Sequence, residues 1–383
     1  MTEMHTDPDW LTTDIALQRL GVARQTLYAY VSRGLIRTRA VPNDPRRSLY
    51  DRHAIDTLLE RRGRGRARHA VAASTIDFGE PVLTSRLTRI ADGRLWYRGQ
   101  DAMALADTAT LEDVAALLWN APAFPEPPPS DYQPGQPGPA IARCLRRAAA
   151  LAGPGIWARG QEALHRDAAR ALRDIAEAAC DAPVNGPIHR TLAAAWGTDD
   201  AGADLIRRAL VLCADHELNA SAFAVRVVAS TGAALPCCLL AGLAALSGPL
   251  HGGMTERVRA LMAEPGMIET PRQVVEARLA RGARVPGFGM RLYPDGDPRA
   301  VSMLGAFSPA PHWDALFAAM RELTGLRPNI DAALLAVEQH LALPAGSALA
   351  IFAVGRTAGW IAHALEQHQD GRLIRPRAVY NGP

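Results

Sequence analysis

Four stretches place side chains that can move protons or hold anions. In "DHELNASAFAVRVVAST", His216 opens a buried-looking helix. "GPLHGGMTERV" uses Gly248-Pro249 to deliver His251 to the start of a new helix. In "RPNIDAALL", Asn329 can cap a helix whose first turn holds Asp331. The fourth, "RVPGFGMRLYPDGDPRA", runs from Arg284 to Ala300 and joins a glycine-rich turn to Gly-Asp-Pro-Arg, ending on Arg299. Each has an ordinary explanation when taken alone, since a His at a helix start is usually a satisfied polar group. An Asp in a first turn usually complements the helix dipole, worth a few tenths of a kcal/mol. Together and in this order they do not look independent, and between them they hold groups that can bind anions and move protons. The turn in the fourth stretch closes on Met290, which neither carries a proton nor donates a hydrogen bond.

These stretches sit in a chain of helix-forming composition. Of 383 residues, 48% are apolar but only 5% aromatic, so Ala and Leu must fill the core. All 42 basic residues are Arg, consistent with a GC-rich genome. The length suits two or three domains. Helical periodicity is expected over 140–152, 161–181, 187–197, 201–214, 219–231, 253–263, 271–281, 312–324, 331–341 and 346–368. Strand signals are confined to Thr75-Ile76 and Leu95-Trp96-Tyr97. The Pro-rich 121–139 cannot be helical throughout. Val227 to Thr255 lacks Asp, Glu and Arg; Gly232, Pro236 and Ser247-Gly248-Pro249 interrupt it, which favours a helix buried on all sides over a membrane span. Cys144, Cys180, Cys213, Cys237 and Cys238 have neither metal nor redox spacing and read as reduced core thiols. "MTEMHTDPDW" is acidic without an apolar run, so no signal peptide is expected and the chain is placed in the cytoplasm.

Charge is uneven. Net charge is +3, yet residues 1–70 carry 13 Arg against 8 acids. Within "LTTDIALQRLGVARQTLYAYVSRGLI", Thr12 and Thr13 can cap a helix with an apolar stripe at Ile15, Leu17 and Leu20. Gly21 makes a turn, and a second helix from about Ala23 to Ser32 exposes Arg24, Gln25 and Tyr28. With "RRSLYDRHAIDTLLERR", residues 11–62 resemble the MerR-type winged helix-turn-helix family. The resemblance implies DNA contacts from Arg24, Gln25, Tyr28, Arg46 and Arg47, and the basic Arg61–Arg68 would add phosphate contacts.

The remainder resembles the citrate synthase family, which includes 2-methylcitrate synthases. The resemblance rests on "HELNASAFAVRVVAST", "GPLHGG", "VPGFGMRLYPDGDPRA", "NIDAAL", "GRTAGWIAHALEQ" and "IRPRAVYNGP", in family order. It implies a mainly α, two-domain helical fold behind a small winged helix-turn-helix domain. The expected boundaries are 1–62 for the head, 63–74 for a basic linker and 75–383 for the body. Within the body, 75–252 with 343–383 form a large domain and 253–342 a small one. The implied reaction condenses acetyl-CoA with oxaloacetate or a related 2-oxo acid in a homodimer, with acetyl-CoA as cosubstrate, no permanent cofactor and no metal. His251 would stabilise the enol and Asp331 remove the methyl proton. His216, Arg299, Arg356 and Arg375 would hold the oxo acid, Arg375 from the other subunit. Val285, Pro286, Gly287, Phe288 and Gly289 would face CoA.

Met290 stands where that family has a His that donates to the ketone oxygen. Losing one such donor costs on the order of 3 kcal/mol. Two readings of different class follow: an acyltransferase, or a ligand-sensing DNA-binding regulator built on a synthase-like body.

Overall fold

The computed structural model describes residues 9–41, 44–59, 83–135, 137–154, 160–378, 380 and 382, without the side chains at 45 and 46. The expected strand at Thr75-Ile76 and the basic Arg61–Arg68 lie outside the described residues. Two compact units form, Met1–Thr84 and Ser85–Pro383.

In the first unit, β1 (Trp10–Thr12) leads into α1 (Thr13–Leu20) and α2 (Arg24–Ser32). Then come β2 (Thr38–Val41), β3 (Asp44–Asp51) and a helix, α3, at 52–59. The antiparallel sheet has the order β1-β3-β2. Gly21 ends α1 at φ 60°, where its amide bonds Leu17 O, so the tight turn is real. Thr12 occupies the N-cap without a side-chain cap bond. The stripe is rotated from the expected one: Ala16 and Leu20 are buried, while Ile15 is 47% exposed. Three apolar residues on an eight-residue helix do not fix its facing, and Leu11, Leu27, Ile36, Tyr50 and Ile55 choose the Ala16 side.

The second unit opens with a small antiparallel sheet, β4 (Thr88–Ala91), β5 (Arg94–Tyr97) and β6 (Gln100–Asp101). All later elements are helical. They are α4 (Ala102–Thr108), α5 (Leu111–Trp119), α6 (Ala140–Ala150), α7 (Gln161–Cys180), α8 (Ile188–Trp196), α9 (Asp200–Cys213) and α10 (Ala220–Ala229). After these come α11 (Leu235–Leu246), α12 (Met254–Met262), α13 (Pro271–Ala280), α14 (Pro298–Leu304), α15 (Pro311–Thr324), α16 (Ile330–His340) and α17 (Ser347–Asp370). The helices expected from periodicity form within a few residues of their expected bounds. The short α4, α5 and α14 were not anticipated, because seven to nine residues carry too few repeats of the pattern.

The expectation for Val227–Thr255 is overturned. α10 ends at Ala229 and α11 buries one face only, through Cys238, Leu239, Gly242, Leu243 and Leu246. Cys237 is half-buried rather than core. A run in which every residue is apolar carries no periodicity, so the sequence conceals which side faces out. The helix enclosed by protein is instead α17, which is long and apolar enough to cross a bilayer but is buried throughout that apolar stretch. It lies against α9 because Gly355 and Gly359 lack side chains. A Cβ there would meet Leu210 O at 2.6 Å and Ala214 O at 2.3 Å.

Two apolar clusters meet along α16. Ile330, Ala333, Leu334 and Val337 pack into the main core, while Ala332, Leu335 and Ala336 join a second core with Val258, Leu261, Trp313 and Leu316. The N-terminus of α16, which carries Asp331, therefore stands at the junction of both.

Candidate active site

Asn329 caps α16, its side-chain oxygen accepting from Asp331 N at 3.1 Å and Ala332 N at 3.4 Å. The residues before the cap are tied to the glycine loop: Gly289 N donates to Arg327 O and Asn329 N to Gly287 O, both at 2.9 Å. Gly287 adopts φ 85°, and a Cβ there would press on Val258 at 2.7 Å. The amide of Gly289 is thus committed within the fold, which narrows what the Val285–Gly289 backbone can offer a ligand.

His216 lies in the bend between α9 and α10, four residues before α10 starts rather than at its opening. That bend is clamped from several sides. Tyr97 donates its hydroxyl to Val211 O at 3.0 Å, Gly359 N donates to Ala214 O at 3.0 Å, and Arg356 Nε donates to Cys213 O at 2.8 Å. Asp215, buried, takes the hydroxyl of Thr88 and sits 3.3 Å from His363 Nε2. Its charge is held below the ordinary carboxylate range: burial opposes it, but His363 and then Arg356 overcome that cost.

The charges of Arg299 and Arg356 reach His216, His251 and Asp331 alike, which groups the five into one cluster. Burial drives His216 well below its ordinary pKa, with Arg299, Arg356 and His251 adding to the effect. His251 is lowered to about 3, by burial first and then by Arg356 and Arg299, so it is neutral at physiological pH. Asp331 is pushed up to about 7, by burial first, with Arg299 opposing and Asp297 reinforcing the rise. Its Oδ1 is buried without a partner, as is Nη2 of Arg356. Such orphaned groups are costly and are retained where a ligand satisfies them.

Three residues that the sequence reading did not select shape this cluster. Asp297 caps α14 and grips Arg299, receiving Nε at 2.9 Å and Nη2 at 2.7 Å. Burial works against the Arg299 cation, yet Asp297 holds its pKa above the ordinary value. Ser221 lies 2.8 Å from His251 Nε2 and accepts from Trp360 Nε1 at 3.1 Å. Asn219 Oδ1 receives the amides of Ser221 and Ala222 and also accepts the Ser221 hydroxyl at 2.6 Å. The hydroxyl carries one hydrogen, so the His251 tautomer follows its placement: turned to Asn219, it leaves Nε2–H to donate to Ser221 Oγ; turned to Nε2, it leaves the ring hydrogen on Nδ1. Tyr293 is the third, with its hydroxyl 3.0 Å from His216 Nε2. Within Gly-Asp-Pro-Arg the sequence reading gives Asp297 no role of its own, and Ser221 and Tyr293 carry no spacing signal.

Met290 is half-buried three residues before Tyr293 and accepts that residue's amide at 3.0 Å. Arg375 is exposed on the C-terminal segment, while Arg299 and Arg356 are buried. In the first unit, Arg24, Gln25, Tyr28 and Arg47 are exposed; the side chain of Arg46 lies outside the described residues.

Buried guanidinium groups, a neutral imidazole and a carboxyl poised near neutrality define a helical protein with a side-chain cluster suited to anions and to carbon-acid chemistry. Residues 163–377, more than half the chain, match the model for "Citrate synthase, C-terminal domain", and the chain belongs to the citrate synthase family. It is 37% identical over 190 residues to "Citrate synthase 2" of Bacillus subtilis, covering 47% of this chain and 51% of that one. It is 35% identical over 211 residues to "2-methylcitrate synthase 1" of Corynebacterium glutamicum, covering 50% and 55%. The chain thus spans about half the length of the curated relatives it matches. Citrate synthase from Thermotoga maritima superposes with a TM-score of 0.66 at 26% identity, over 80% of this chain and 94% of that one. The fold is also shared with the Thermoplasma acidophilum citrate synthase solved with carboxymethyl coenzyme A and oxaloacetate, at TM-score 0.62, 24% identity, and 79% and 94% coverage.

Proposed function

We propose that the chain is a condensing enzyme of citrate synthase type, joining acetyl-CoA or a related acyl-CoA to oxaloacetate or a related 2-oxo acid. The observation that carries this reading is the pairing of neutral His251 with the raised, unpartnered carboxyl of Asp331 beside two buried arginines. Asp331, as carboxylate, takes a proton from the acyl methyl group while His251 Nδ1–H bonds the thioester oxygen, which requires the Ser221 hydroxyl to turn from Asn219 Oδ1 to His251 Nε2. The enol carbon attacks the ketone carbon, and water then cleaves the thioester and frees CoA. Arg356 Nη2 and the edge of Arg299 not engaged by Asp297 receive the carboxylates. The exposed side of α11 and exposed Arg375 support a dimer in which Arg375 completes the partner's site; a solution mass of one chain would remove that part.

The test is CoA release from acetyl-CoA with oxaloacetate, for the natural protein beside Met290→His. We expect slow turnover naturally and a gain in kcat for the variant of up to about a hundredfold, the most that one added oxyanion donor supplies. No release by either protein, with acetyl-CoA still bound, sinks the reading.

One observation favours a second role: α2 follows a tight glycine turn and exposes Arg24, Gln25 and Tyr28 together. A helix so placed can enter a major groove, and a dimer would present two of them. The expected result is sequence-preferring duplex binding that weakens steeply with salt and with Arg24→Ala. Equal affinity for all duplexes at moderate salt, with and without acetyl-CoA, counts against it.

A further inference from the structure

Met290 leaves the ketone oxygen without the donor that its position would otherwise supply, and the same turn carries a buried hydroxyl. Tyr293 is 2% exposed, its amide is bonded to Met290 O at 3.0 Å, and its hydroxyl lies 3.0 Å from His216 Nε2. Its ring stands edge-on to His216, and the Arg299 guanidinium lies 6.0 Å from its centroid. The hydroxyl thus meets His216 while the ring lies beside Arg299, the two groups proposed to hold the oxo acid.

Resting on the condensing-enzyme reading above, we propose that Tyr293 is a catalytic residue, its hydroxyl donating to the ketone oxygen in place of the side chain at 290. The arrangement requires the His216 tautomer with hydrogen on Nε2. That N–H donates to the Tyr293 oxygen and leaves the phenolic hydrogen for the substrate. As the carbon–carbon bond forms, the carbonyl π pair moves onto the ketone oxygen. The phenolic proton passes to that oxygen, and the proton that Asp331 took from the methyl group returns to the phenolate through water. Protons and charge balance over the step. Burial raises the phenol above its ordinary pKa, so the phenolate is formed only against a strongly basic alkoxide.

A double-mutant cycle tests this, with CoA release measured for the natural protein, Tyr293→Phe, Met290→His and the double variant. Tyr293→Phe is expected to lower kcat about a hundredfold with KM changed less than about threefold. In the Met290→His background the same change is expected to cost less than about tenfold, because one donor covers for the other. 3-Fluorotyrosine at 293, a stronger acid, is expected to move the alkaline limb of the kcat profile to lower pH, a shift that packing alone does not produce. Equal losses in both backgrounds, or a rate within threefold in Tyr293→Phe, overturn the proposal. No turnover by the natural protein or Met290→His is a different result: it removes the condensing-enzyme reading, and this inference with it. Circular dichroism melts of each variant separate misfolding from lost chemistry.

Discussion

Asp331→Asn is expected to slow CoA release by about a thousandfold while making the protein more stable at pH 8. Both effects come from one burial. A positioned general base contributes roughly 10²–10⁴ in rate, and an amide cannot accept the methyl proton. The stability effect follows from the raised pKa. Asp331 ionises at about 7 in the fold against 3.8 ordinarily, so the folded state prefers it protonated. Below about pH 4 both folded and unfolded chains hold the proton and there is no penalty. As pH rises toward 7 the unfolded chain releases it first, and stability falls; above 7 the full penalty, roughly 2–4 kcal/mol, persists. Asparagine resembles the protonated acid and escapes that loss. The melting temperature of Asp331→Asn minus that of the natural protein should therefore be near zero at pH 4, grow to pH 7, and level off. Rate profiles supply a second check, since kcat/KM should rise with pH through an acid limb near 7. A variant that keeps more than a tenth of the natural rate would remove Asp331 from the base's role, whatever its stability.

What the sequence made legible depended on whether a signal was local. Gly21 announced its turn because a positive φ has a residue preference of its own, and Asn329 announced its cap for the same kind of reason. His216, His251, Arg299, Arg356 and Asp331 come together across helices far apart in the chain; no spacing rule links them, and the motif resemblance did. Facing was the weak point. Ile15 was assigned inward by a three-residue stripe, and α11 was taken as enclosed because a fully apolar segment has no polar residue to mark its outer side. The supporting residues were harder still. Nothing in "GDPRA" distinguishes a turn aspartate from one that grips Arg299, and nothing in "NAS" marks Ser221 as the residue that meets His251 Nε2. Their roles are set by what packs beside them.

Asp297→Asn is expected to disable the site without touching a substrate atom. Asp297 is 2% exposed, and its two oxygens receive four hydrogens. Oδ1 accepts from Arg299 N at 3.1 Å and from Nε at 2.9 Å; Oδ2 accepts from Nη2 at 2.7 Å and from Ile330 N at 3.1 Å. It therefore neutralises a buried guanidinium and, through Ile330, joins the starts of α14 and α16, one residue before Asp331. Asparagine fits the space but fails electrically. Placing its NH₂ at Oδ2 sets it against two donors, and Arg299 is left as an unpaired buried cation, a change that typically costs about 3–5 kcal/mol. We expect melting to fall by about 5–10 °C. Oxaloacetate affinity, measured by calorimetry below the transition, should fall at least tenfold, because an Arg299 freed from its clamp loses the fixed orientation that carboxylate pairing needs. Asp297→Glu keeps the charge but lengthens the arm, so it should recover part of the stability while leaving affinity low. If Asp297→Asn instead binds oxaloacetate as tightly as the natural protein, Arg299 is not held in place by Asp297. The bidentate pair would then serve the junction of the two cores alone, and the orientation of Arg299 would have to come from its burial beneath Tyr293.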